Sequence, residues 1–168
     1  MTDPTLVELI REVRWKTLKL LEGVSDETAL FAPPGLVNHI LWHAGHALVV
    51  VEGLACNRLS PITPGTLSSV PPPFPLGWID LFRGGSDPAT VTSWPKLAEI
   101  VAALKDQRTR LLALLDQADD ADVDFDEIVG PAPRNRTLRG MIVHAFHDEA
   151  GHQGEIHLLK KLVGKSLL

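Results

Sequence analysis

Apolar residues recur at steps of three and four along four stretches of the chain, the period that gives a helix one buried face. The first stretch opens at Asp3-Pro4, an acceptor side chain followed by a residue whose missing N–H is harmless at a helix start. It predicts a helix over about Pro4 to Glu22, with Leu6, Leu9, Ile10, Val13, Thr17, Leu20 and Leu21 on one side and Glu8, Arg11, Glu12, Lys16 and Lys19 on the other. Past the turn at Pro33-Pro34-Gly35, Asn38 is the expected cap of a second helix reaching about Arg58, with Glu52 as the single charge in its body. A helix so apolar should be mostly enclosed. Ser93 is the expected cap of a third, about Trp94 to Gln117, with a stripe of Leu97, Ile100, Val101, Leu104, Leu111, Leu112 and Leu115. Thr137 is the expected cap of a fourth, about Leu138 to Val163, stopped by Gly164.

The stretch from Leu59 to Pro95 breaks this pattern, because eight of the chain's 13 prolines fall there together with Gly65, Gly77, Gly84 and Gly85. Trp78, Ile79, Leu81 and Phe82 within it need apolar partners, so the segment should lie over the domain, where it could roof a pocket. No strand-like alternation and no internal repeat occurs. The economical reading is an all-α fold, a four-helix bundle running up-down-down-up with a long crossover between helices 2 and 3, in one domain over residues 1–168. Asp120, Asp122 and Asp124 imitate the start of a calcium loop, but Phe125 stands where glycine is needed and Pro131 where the bidentate glutamate belongs. A solvated acidic loop is expected instead.

Composition narrows the function classes. With 168 residues and 45% hydrophobic content the chain can bury a real core, and 16 Lys+Arg against 21 Asp+Glu give a net charge of -5. Without a clustered basic surface a nucleic-acid partner is not expected. The single cysteine, Cys56, cannot form an intramolecular disulfide, which suits a reducing compartment. No secretory leader is visible and no segment approaches the ~18 apolar residues of a membrane span, so the expectation is a soluble cytoplasmic protein without a membrane partner.

All seven histidines lie on the second and fourth predicted helices: His39, His43 and His46 on one, His144, His147, His152 and His157 on the other. At about 100° per residue, Met141, Ala145, Asp148, His152, Ile156 and Leu159 share a narrow stripe with His144 and Glu155 at its edge, while His147 and His157 project away. His39, His43 and His46 likewise share a face with Val50, Gly53 and Leu54. Asp148 and His152 at i and i+4, with an imidazole from a facing helix, would supply three convergent ligands and leave an open position. Histidines hydrogen-bonded within the core are the alternative, and the pattern by itself leaves both open.

These residues carry a resemblance. Asn38-His-Ile-Leu-Trp-His-Ala-Gly-His46, Leu81-Phe-Arg-Gly-Gly-Ser-Asp-Pro88 and His147-Asp-Glu-Ala-Gly-His-Gln-Gly-Glu-Ile156 resemble the DinB/YfiT-like superfamily of bacterial four-helix bundles, in particular its DinB_2-type members. The resemblance implies a divalent metal, zinc or nickel foremost and manganese or iron otherwise, held by one histidine of helix 2 and a His-x-x-x-His pair of helix 4. It carries the ligands onto His46 and His152, with Asp148 where the family usually has histidine, and with His43 and His144 as possible replacements. Carboxylate in place of imidazole makes the site harder and more anionic. The resemblance further implies a small-molecule substrate, with a low-molecular-weight bacterial thiol as partner in S-transfer or with hydrolysis as the reaction, and a homodimer. A non-catalytic ligand-binding module with a vestigial metal site is the other functional class.

The remaining candidates carry weaker signals. Cys56 reads as a buried small hydrophobe. Arg134, Arg136 and Arg139 could hold a carboxylate or balance the acidic loop beside them, and Trp42 and Trp78 could line a pocket or simply fill the core.

Overall fold

The computed structural model describes residues 3–60 and 71–166, and side chains as far as Gly164. It is all-helical: α1 (Pro4–Leu21), α2 (Asp26–Leu30), α3 (Ile40–Val51), a π-helical turn (Glu52–Cys56), α4 (Asn57–Leu59), α5 (Trp78–Phe82), a 3-10 turn (Pro88–Thr90), α6 (Leu97–Asp120) and α7 (Leu138–Ser166). Among the described residues there is no strand, only an isolated antiparallel bridge between Ile128 and Thr137. None of their helices is long and apolar enough to cross a membrane.

Helix starts follow from capping chemistry. Asp3 accepts from the N–H groups of Thr5 and Leu6, and the hydroxyl of Thr137 accepts from Gly140. Two expected caps move. The second helix begins at Ile40 because His39, not Asn38, holds the cap, its Nδ1 accepting from the Trp42 N–H at 3.1 Å. The third begins at Leu97, after Pro95. There Glu99 takes the N–H of Lys96 at 2.7 Å, and Asp26 of α2 takes that of Leu97 at 2.8 Å. At its other end α7 runs through Gly164 to Ser166.

Of the expected crossover, residues 61–70 lie outside the described residues. The rest does lie over the helices, and it is less irregular than its prolines suggest: Trp78–Phe82 form one helical turn, with Phe82 fully buried and Phe74 stacked on Trp78. A Cβ at Gly45 would stand 2.4 Å from the Phe82 ring, so a glycine in α3 is what lets α5 seat there.

The core has two apolar clusters. One gathers Ile40, Leu41, Ala44 and Leu48 with Phe82, Leu97, Ile100, Leu104, Ile156 and Leu159. The other gathers Leu6, Ile10, Val51, Ala55 and Leu59 with Leu111, Leu114, Leu138, Ile142 and Phe146. Between them each long helical run contributes a buried polar residue. The Arg14 guanidinium, with no exposed surface, donates to both carboxylate oxygens of Glu149, to the Leu104 carbonyl and to Gln107. Thr17 donates to Glu149 at 2.6 Å, Gln107 donates to Glu52 and the Leu48 carbonyl, and Arg110 pairs with Glu52 and Ser60. Apart from Arg110 Nε, which is buried without a partner, these charged groups are hydrogen-bonded to neighbours, the condition under which buried charge is tolerated.

Candidate metal centre

His46 lies near the middle of α3, and Asp148 and His152 face it from successive turns of α7. The Nε2 atoms of His46 and His152 stand 3.6 Å and 3.4 Å from Asp148 Oδ2, and the three ligand atoms all lie within 4.8 Å of one another. Tetrahedral zinc with bonds of about 2.1 Å would hold its ligand atoms about 3.4 Å apart, so the three side chains fit a divalent ion with little adjustment. Asp148 Oδ2 is buried without a hydrogen-bond partner, an acceptor left for a cation.

Each imidazole is aimed from behind. His46 Nδ1 lies 2.6 Å from the Phe82 carbonyl oxygen, which can only accept; Nδ1 therefore carries the proton and the Nε2 lone pair faces Asp148. The Trp42 ring stacks on His46 at 4.8 Å, and its N–H donates to Ser86, which in turn donates to the Leu81 carbonyl. Residues 81–86 thus grip both Trp42 and His46. His152 Nδ1 contacts His43 Nδ1 at 2.8 Å, and this pair shares one proton between its facing nitrogens. With that proton on His152, its Nε2 is free to ligate.

Burial holds His43 and His46 neutral. Desolvation is the largest cause for His43, lowered to about 3 with the neighbouring imidazoles adding to it, and for His46, whose Phe82 contact opposes the shift. The adjacent His152 is the main cause that keeps the Asp148 carboxyl below its usual range. A neutral His46 imidazole beside an ionised Asp148 carboxylate is the protonation state that metal ligation requires of both groups.

The other candidates divide. His43 sits behind His152 instead of joining the cluster, and His144 lies a turn away from Asp148 beside Arg134 and Arg136. His39 shares the buried face but serves as the α3 cap. His147 and His157 are exposed, as the helical wheel predicts. Cys56 is fully buried, and burial followed by nearby Glu52 raises its thiol far above the reactive range. Arg139 pairs with Asp3 and Asp126, so for this residue the charge-balancing role is the one observed. Trp42 is part of the site, whereas Trp78 packs against Phe74 and Phe82. A cavity of about 460 Å³ lined by Asn38, His43, His152, Glu155 and Leu159 opens beside the cluster. The Phe82 carbonyl and Ser86 were not visible as site groups in the sequence, although both lie in the Leu81–Pro88 motif that carries the resemblance; within it, the backbone at Gly84 passes close to His46.

An all-helical chain with a His-Asp-His cluster between two helices defines a class of potential metal-binding helical proteins. The DinB_2 family model, described as DinB superfamily, matches residues 9–156, and the chain belongs to that superfamily. No curated protein matches it.

Proposed function

We propose that His46, Asp148 and His152 bind one divalent ion, zinc or nickel before manganese or iron, and that the protein uses it on a small molecule as a thiol S-transferase or hydrolase. The observation that carries this reading is the partnerless Asp148 Oδ2 facing two Nε2 atoms whose rings are fixed by groups behind them. A bound ion would supply the positive charge that lowers the pKa of a thiol or water at its open position. The chain's own part is to aim the ligands through Phe82 and His43, to cover His46 with Trp42, and to leave access through the cavity at His152. The same reading takes the long helical runs as an up-down-down-up four-helix bundle with 59–95 as crossover, one domain over residues 1–168, working as a cytoplasmic homodimer.

Metal analysis on untagged protein tests the site. Stoichiometric zinc or nickel is expected in the parent and in His147→Ala, and none in His152→Ala. Protein that stays metal-free after soaking in zinc, nickel and manganese would refute it. A second reading, a non-catalytic ligand-binding module, is favoured by one residue: Asp148 replaces the softer imidazole usual in the family. Metal-loaded protein incubated with low-molecular-weight bacterial thiols and a chlorinated aromatic electrophile separates the two, since metal-dependent turnover is expected only for the enzyme.

A further inference from the structure

On the side of α7 toward its N-terminus, a cavity of about 410 Å³ is lined by Leu54, the loop Gly130-Pro131-Ala132-Pro133-Arg134, and Arg136, Met141 and His144. No acidic side chain lines it. Arg134 and Arg136 make no ion pair and no side-chain hydrogen bond among the described residues, whereas the nearby Arg139 is fully engaged by Asp3 and Asp126. Two guanidiniums without an ion-pair partner, set around one hollow beside the His144 imidazole, make a local positive site in a chain of net charge -5.

The loop is built to hold them there. The N–H groups of Val129 and Gly130 both donate to the Arg136 carbonyl, at 3.1 Å and 2.9 Å, and Asn135 donates to the Pro131 carbonyl from a left-handed backbone at φ 44°. A Cβ on Gly130 would stand 3.0 Å from the Arg136 amide, so a side chain there would push the turn apart by a few tenths of an ångström. The first N–H groups of α7 are already taken by Glu127, Phe125 and Thr137. An anion in this hollow would therefore be held by side chains, not by the helix end. His144 lies one turn from Asp148, about 6 Å along α7.

We propose that this cavity binds the carboxylate or phosphate of a small anionic molecule, with Arg134 and Arg136 as its charged partners and His144 as a third donor. Guanidinium forks match either oxyanion bidentately. Taken with the proposed metal site, on which this last step rests, the anion anchors a substrate whose reacting end reaches the His46, Asp148 and His152 cluster.

Succinate and inorganic phosphate are the probes, titrated by calorimetry and by imidazole NMR into metal-free and zinc-loaded protein, with chloride at equal ionic strength as the screening control. Saturable binding of at least one probe is expected, with a shift of the His144 resonances. Arg134→Gln and Arg136→Gln should each weaken it about tenfold or more, Arg134→Lys less, and Arg139→Gln should leave it unchanged. Zinc stoichiometry should be the same in all. No saturable binding of either probe, or equal binding in the Arg134→Gln, Arg136→Gln double variant, would overturn the proposal. Anion binding in protein that takes up no metal would uphold the anion site and refute the proposed chemistry instead.

Discussion

His39 caps a helix with a ring nitrogen where an amide or hydroxyl oxygen ordinarily serves. Burial lowers its pKa from 6.5 to about 4. The unfolded chain therefore takes up this proton near pH 6.5 and the folded chain only near pH 4, and the linked stability is lost as pH falls through that window. His39→Asn keeps a capping oxygen and removes the titration. Between pH 7 and pH 5 the variant should lose less stability than the parent, by up to about 2 kcal/mol in urea unfolding. At Asp148 the expected outcome is the reverse of a loss, because Asp148→His should tighten zinc and nickel, read by competition with a chelator. The inward direction of His46, Asp148 and His152 was legible because 100° per residue sets direction along a regular helix. What His39 and His43 touch was not, since direction does not name the partner: one ring turned to its own backbone and the other to His152.

Helix stripes were legible for the same reason their charges were missed. Arg14 continues the series Ile10, Arg14, Thr17, Leu21, and Glu149 continues Ile142, Phe146, Glu149, Gln153, yet a charge within a stripe reads as solvated until its partner is known. α7 packs against both α1 and α3, so it has two buried faces where a single narrow stripe was expected. Arg14→Met would leave Glu149 buried without its counter-charge and should cost about 3–5 kcal/mol, with Arg14→Met, Glu149→Leu recovering a large part in urea unfolding. The short turn of α5 was hidden by the prolines around it, and its seat on α3 depends on Gly45. Gly45→Ala should cost about 1–3 kcal/mol through overpacking. It should also weaken zinc uptake, because the displaced residue is Phe82, whose carbonyl orients His46.

At the scale of the molecule, the cluster joins α3 to α7 and the end of α5 steadies it through the Phe82 carbonyl, so an ion bound there would tie three parts of the chain together. Zinc at 100 times its dissociation constant should raise stability by about 2.7 kcal/mol, an effect absent from His46→Ala and reversed by a chelator in thermal unfolding. The division of the core into two apolar clusters around a polar layer could not be foreseen, because it arises from which helices meet. That layer also sets an order of events during synthesis. Arg14 and His46 leave the ribosome early, while Glu149, Asp148 and His152 arrive only with α7. A nascent chain shorter than about residue 138 holds an arginine on an apolar face without its counter-charge and one ligand of the three. Such a chain should remain unable to close its core, a client for chaperones, and ion capture should wait until α7 has been made.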